Sequence, residues 1–270
     1  MSIYTRTRRV SITRYNTETL TYRDAIVANA GTISAGSLLA VDAFVTACKA
    51  NNLWAKLIDC GVFAGDQLAA ALVKLVYPNG GQALIVNHGF VAGDYTERGA
   101  NGGLQGDGVA KYLSLGTTGN VANLGGIAFY MRTACGAGAQ ALLGGGLNDG
   151  NVIALKHIPA PTGIQLCWGG ETISSGGGLA GSELITGTNN AATATTLYQA
   201  AAQLVTNAPG QGAPNLPEEF FVFASNEGGA IEFASCIGSF YALTQALAAA
   251  DVANLFEAVQ ALQIALNRNV

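Results

Sequence analysis

Two adjacent carboxylates, Glu218 and Glu219, are the first place to look for acid–base chemistry in this 270-residue chain. Retaining glycoside hydrolysis needs two carboxyl groups about 5 Å apart on one surface. Sequence neighbours on a strand point to opposite faces. This pair therefore reads as a solvated turn after Pro217, and Glu232 stands without a matching partner in the sequence, so no catalytic residue is assigned. Gly136-x-Gly138-x-x-Ala141 matches the loose form of a dinucleotide-binding glycine loop. That loop must open a helix, whereas Leu142-Leu143-Gly144-Gly145-Gly146 is a poor helix and reads as a hairpin. There is no G-x-S-x-G. The chain has two histidines, His88 and His157, and five scattered cysteines, Cys48, Cys60, Cys135, Cys167 and Cys236. They give neither a Cys/His nucleophile nor the ligand spacing of a zinc site. An odd, widely spaced set with no C-x-x-C is also no disulfide framework, and reduced thiols are expected. No metal and no cofactor is expected.

Binding chemistry leaves more to consider. A sugar surface would show as an exposed aromatic ring with polar neighbours. Trp168 is the candidate glycan contact, followed by Tyr95 and Tyr198, and the competing reading for each is a core position. A calcium ion would use Asp107 or Asn148-Asp149, but no dense acidic loop surrounds either, and a bare turn is the better reading.

Only 11% of the residues are charged and 36 are glycine, while half are apolar. A core of good size follows. A surface this poor in charge fits a component covered by neighbours, so a homo-oligomer or an assembly partner is expected. Net charge is −4, unevenly spread. Arg6, Arg8, Arg9, Arg14 and Arg23 lie in the first 23 positions with one acid, Glu18. Residues 1–30 alternate loosely and read as an extended basic arm. Arg6, Arg8, Arg9 and Arg14 are its candidate docking residues for an acidic partner, against the plainer reading of an edge strand carrying Arg. The acidic remainder argues against nucleic acid. No apolar run reaches the ~18 residues of a membrane span, and the start lacks the apolar stretch of a secretory signal.

Positioning elements follow from periodicity. Ser34 is placed as an N-cap, and Leu38, Val41, Val45 and Cys48 form a helical stripe, making residues 31–60 a helical lead-in. From there short β-type runs recur between Gly/Asn/Pro/Asp punctuation. They are Leu72–Tyr77, Tyr112–Leu115, Ile127–Arg132, Gln140–Leu143, Val152–His157, Ile164–Trp168, Glu183–Thr186, Thr195–Tyr198, Phe220–Ala224 and Ile231–Tyr241. Many short strands with turns at Pro78-Asn79-Gly80, Asn148-Asp149-Gly150 and Asn226-Glu227-Gly228 mean a sandwich, not βαβ units. Val252, Leu255, Val259, Leu262 and Leu266 mark a closing helix over 244–267, with Arg268 suited to its C-terminal dipole. The domain is thus 61–270, an all-β jelly roll with an N-terminal and a C-terminal helix packed on it.

Several segments resemble a known superfamily. They are Ser34–Lys49 with Leu53-Trp54-Ala55-Lys56-Leu57, Leu68–Pro78, Phe90–Glu97, Gly106–Leu113, Phe220–Gly229, Ile231–Gly238 and Asn254–Gln263 with Leu266-Asn267-Arg268. Together they are similar to phage-encoded virion structural proteins of the concanavalin A-like lectin/laminin-G-like jelly-roll superfamily, over roughly residues 30–270. The resemblance implies a non-enzymatic head-decoration, minor capsid or tail-associated protein, made in the host cytoplasm and residing in the virion among other virion proteins. The alternative is a receptor-binding lectin recognising host surface glycans. A polysaccharide-degrading enzyme ranks last, because the E-x-D-x-x-E strand of jelly-roll glucanases is missing here. Leu247 is followed by Ala248 where relatives place Ser or Thr, which suggests a helix start at Thr244. Residues 1–30 match nothing in the superfamily.

Overall fold

The computed structural model describes residues 15–78, 81–146, 151–159, 163–176, 181–190, 194–207 and 216–268. Arg6, Arg8, Arg9, Arg14 and Asn148-Asp149 lie outside the described residues.

Two sheets stack into a sandwich. The first runs β13 (Ala202–Asn207), β12 (Ala194–Gln199), β11 (Glu183–Asn190), β6 (Gly126–Met131) and β17 (Ile237–Thr244). The far edge of β17 is shared by β1 (Leu57–Gly61) and by β4 (Gly103–Gln105), which pairs with β3 (Tyr95–Thr96). The second runs β10 (Glu171–Ser174), β9 (Gly163–Trp168), β8 (Val152–Ile158), β7 (Gln140–Gly146), β14 (Glu219–Val222), β5 (Tyr112–Thr118) and β2 (Val86–His88). A small hairpin, β15 (Ser225–Glu227) and β16 (Ala230–Ile231), joins it parallel to β7.

Among the described residues the helices pack on the first sheet. They are α1 (Thr17–Ala28), α2 (Ala35–Ala50), the short α3 (Leu68–Ala71) and α4 (Ala249–Ala265). Strands β6 and β17 are buried along their whole length because both their faces are covered. Ile127, Phe129, Met131, Tyr241 and Leu243 face the second sheet. Ala128, Tyr130, Phe240 and Ala242 lie under Val41, Phe44, Val45, Val252, Leu255 and Val259 of the helices. That double burial replaces alternation by a continuous apolar run. Each fully buried Phe or Leu contributes about 1.5–3 kcal/mol.

Residues 17–28 are helical, which corrects the extended arm. Thr19, Tyr22 and Ile26, spaced three and four apart, form the buried face. Asp42 of α2 clasps the start of this helix, accepting from the backbone N–H of Asn16 (2.7 Å), its side-chain amide (3.0 Å) and the Thr19 hydroxyl (2.8 Å). Four threonines and tyrosines in seven residues are weak helix formers, so tertiary contacts, not propensity, decide the conformation. The lead-in does contain α2, capped by Ser34 Oγ accepting from Ser37 N–H, but it also supplies β1. Leu72–Tyr77 is not a strand: only Val73 and Val76 make isolated bridges. The last helix starts at Ala249 and not at Thr244, because Thr244 is held in β17 between Leu57 and Gly126.

Two buried polar groups tie the layers. Asp59 and Lys74 form an ion pair at 2.7 Å with both side chains fully buried. Thr117 and Tyr241 also donate to Asp59, and Lys74 donates to the carbonyl of Leu115. Arg268 does not lie along the helix dipole at the surface. It is fully buried and donates to the carbonyls of Glu97, Val62, Ser239 and Phe63.

Candidate functional site

Among the described residues no helix lies on the outer face of the second sheet, where Cys167, Ala154, Ser114 and Phe221 are buried and exposure begins at the β2–β5 edge. The apolar cluster beneath the helices contains no residue of β5, β7, β8, β9 or β14. One in-register row crosses this face: Cys167, Ala154, Gly144, Phe221, Ser114 and Val86. Six strands at ~4.8 Å spacing make it about 24 Å long. Its middle is low because the residues there are small. A Cβ on Gly144 would lie 2.9 Å from the Ala154 Cβ and 3.0 Å from Ser225 Oγ, so β15 can approach β7 only across glycine.

Beside that row stands an aromatic cluster. Tyr112 on β5 is its centre. His88, its partner on β2, stacks on it at 4.2 Å with the rings 3° from parallel. Phe221 lies 4.6 Å and Phe233 6.1 Å from the Tyr112 ring. His88, Tyr112 and Phe233 are half-buried, Phe221 is nearly covered by its neighbours, and Val86 at the end of the row is 44% exposed.

A charged group sits at the hairpin. Lys156 on β8 lies 2.6 Å from Glu232 and 3.3 Å from Glu227. Ser225 donates to Glu227 at 3.1 Å. Burial works against the Lys156 ammonium, but Glu232 and Glu227 outweigh it and hold its pKa above the ordinary value. Glu232 adopts a left-handed backbone, φ 54°, and Phe223 does so at φ 68°. Such conformations cost a non-glycine residue about 1–3 kcal/mol. They persist here because the carbonyl of Glu232 accepts from Ala141 and that of Phe223 from Ala234. This reversal of the chain brings Glu232 to Lys156 and Phe233 to Tyr112.

Trp168 is not part of the surface. It is fully buried between the sheets, on the inward phase of β9 with Ile164 and Leu166, while Gln165 and Cys167 alternate with them along the strand. A glycan contact there is excluded by one step of strand alternation. Tyr95 and Tyr198 are buried too, Tyr95 pointing its hydroxyl at the carbonyls of Phe63 and Gly65. Asp107 accepts three backbone N–H groups, from Val109, Ala110 and Lys111, so its carboxylate caps a loop. Among the described residues no cluster of three His, Cys, Asp or Glu is arranged to hold a metal. Glu219 is not in a solvated turn: it opens β14 and accepts from Gly116 N–H at 2.8 Å. Sequence reasoning missed Tyr112, His88, Phe221 and Phe233. The signal for Tyr112 was alternation against Leu113 and Leu115, whose side chains enter the core; Phe221, in an all-apolar run, had none.

Two packed sheets with flanking helices define a jelly-roll β-sandwich domain. Solved structures share it. One is botulinum neurotoxin type C, whose uptake into cells is described as dependent upon interaction with two ganglioside molecules. It matches at TM-score 0.54 and 13% identity, over 77% of this chain and 52% of that one. A mutant Trypanosoma rangeli sialidase displaying trans-sialidase activity matches at TM-score 0.53 and 14% identity, over 84% of this chain and 40% of that one. This chain therefore spans about half or less of those two proteins. Domain 4 of an extracellular arabinanase from Geobacillus stearothermophilus, solved with arabinotriose, matches at TM-score 0.50 and 15% identity, over 74% of this chain and 98% of the domain. Likeness at these identities establishes the fold. No protein-family model matches the chain, and no curated protein matches it in sequence.

Proposed function

We propose that this chain is a non-catalytic glycan-binding module whose ligand lies on the Tyr112 cluster, at the β2–β5 end of the outer face of the second sheet. The observation that carries the reading is that four aromatic rings from four separate segments meet at the β2–β5 end of this face, three of them half-buried, with the part-exposed Glu232 next to Phe233. A sugar ring offers an apolar C–H face and a rim of hydroxyls. Aromatic rings take the first, and the part-exposed carboxylates of Glu227 and Glu232 are placed to pair with the second. The arabinanase domain solved with arabinotriose supports the reading, as does the ganglioside dependence of the toxin. Lys156 between two carboxylates leaves the patch with a net negative charge, so neutral sugars suit it better than sialylated ones.

The setting we propose is the surface of a phage particle, with the module serving to recognise host glycans. The low charged fraction and the sequence resemblance support it, and the segment of Arg6, Arg8, Arg9 and Arg14 suits an acidic neighbour on the particle. Detection of the chain in purified particles by mass spectrometry tests the setting.

The site is tested with a glycan array followed by calorimetry. Wild type binds neutral oligosaccharides. Tyr112→Ala weakens binding about ten- to hundredfold while leaving the fold intact. Trp168→Phe, changed in the core, leaves the affinity of the folded protein unchanged. Failure of wild type to bind any glycan at millimolar concentration overturns the reading. Hydrolysis of a bound glycan, lost in Glu227→Gln or Glu232→Gln, overturns its non-catalytic part.

A further inference from the structure

Outside the glycan site, two cysteines lie on neighbouring segments. The loop after β6 runs beside the start of β17. Arg132 N–H donates to the Ile237 carbonyl at 2.7 Å, Ile237 N–H to Thr133 Oγ1 at 2.9 Å, and Gly136 N–H to Ser235 Oγ at 2.8 Å. These bonds bracket Cys135 on one segment and Cys236 on the other. Cys236 is fully buried in the inter-sheet core, and Cys135 packs against the same cluster while remaining the least buried of the five cysteines. The Cys135 thiol donates to Met131 Sδ at 3.8 Å, at the edge of the core that holds Cys236. A disulfide needs Cα atoms about 4.4–6.8 Å apart, and the three hydrogen bonds hold the two segments side by side on either side of the cysteines. Cys48, Cys60 and Cys167 are all buried.

We propose that Cys135 and Cys236 are a disulfide-forming pair, reduced where the chain is made and joined when the protein meets a disulfide oxidant such as oxidised glutathione. This inference stands apart from the glycan reading. Cys135, the accessible member, attacks the oxidant as its thiolate. A mixed disulfide forms and one glutathione thiolate leaves. Cys236 then gives up its proton to solvent and attacks the Cys135 sulfur, expelling the second glutathione thiolate. Two S–H bonds are replaced by one S–S bond, and one glutathione disulfide is reduced to two thiols. The neighbouring Cys135 thiol and then burial hold the Cys236 thiol well above its ordinary pKa. The second step is therefore the slow one and quickens as pH rises.

The bond closes a loop of about 100 residues between the first and last strands of the central pair, which restricts the unfolded chain. Thermal unfolding should rise by roughly 5–15 °C in oxidised glutathione and return when a dithiol reductant is added. The full chain is equilibrated with oxidised glutathione, denatured, alkylated and digested. The expected product is a linked peptide joining Cys135 to Cys236, with the intact mass lower by two hydrogens. Cys135→Ser abolishes both the link and the thermal shift, whereas Cys48→Ala retains them. Recovery of both cysteines as alkylated peptides, or of glutathione left on Cys135 with no internal link, overturns the proposal.

Discussion

Replacing Lys74 with methionine removes the cation from a pair that has no contact with water. Its ammonium lies 2.7 Å from Asp59, and both side chains are fully buried. Methionine fills nearly the same volume, so the perturbation is electrostatic more than steric. Asp59 keeps the hydroxyls of Thr117 and Tyr241 but is left as an uncompensated buried charge. Breaking such a pair from one side costs about 3–5 kcal/mol, against a total stability of roughly 5–15 kcal/mol. At about 2–4 °C per kcal/mol for a chain of this class, Tm should fall by roughly 6–20 °C. Burial already holds the Asp59 carboxyl above its ordinary 3.8, although Lys74, Thr117 and Tyr241 favour the charged form. Without Lys74 it rises further. A folded-state value above the unfolded one gives stability that is fully present below pH 3.8 and lost as pH rises through the folded value. The deficit of Lys74→Met should therefore be small in acid and full at neutral pH. Urea titrations of wild type, Lys74→Met, Asp59→Asn and the double variant at several pH values measure it. The double variant should recover most of the loss. A single variant within 1 kcal/mol of wild type would refute the argument. So would a double variant whose cost is the sum of the singles, since the loss would then be packing and not an orphaned charge.

Arg268 acts on the same principle through dipoles. Arg268→Met leaves the carbonyls of Val62, Phe63, Glu97 and Ser239 without their donor. It should cost about 3 kcal/mol or more by urea midpoint; an unchanged midpoint would show the carbonyls satisfied otherwise. Asp42 sets an acid limit for α1. Burial opposes its charge, but hydrogen bonds from Asn16 and Thr19 outweigh it and hold the carboxyl below 3.8. A lowered folded value gives stability complete above pH 3.8 and lost as pH falls through the folded value. Amide exchange should show α1 losing protection first on acidification, and Asp42→Ala should show that loss, worth about 1 kcal/mol, already at neutral pH. Uniform protection of α1 and α2 through pH 3 would count against the clasp.

What the chain states by itself is its periodicity. The segments Val152–His157, Ile164–Trp168 and Thr195–Tyr198 are strands where their apolar patterns place them, and Leu38, Val41, Val45 and Cys48 mark α2. Short strand-type runs between turn signals indicate a β-sandwich, and the glycines of Gly144–Gly146 do sit where strands crowd. The phase of each strand is another matter. In Phe220-Phe221-Val222-Phe223 every residue is apolar, so nothing local tells that Phe221 turns outward to Tyr112 while Phe220 and Val222 enter the core. The same blindness made Trp168 a surface candidate, although its strand neighbours place it inside. Only the assembled sheets bring His88, Tyr112, Phe221 and Phe233 together, and only the left-handed turn at Glu232 carries that carboxylate to Lys156. Local sequence fixes which residues prefer a strand or helix; the partner that buries each face is far away in the chain, and that partner decides which side chains meet the solvent.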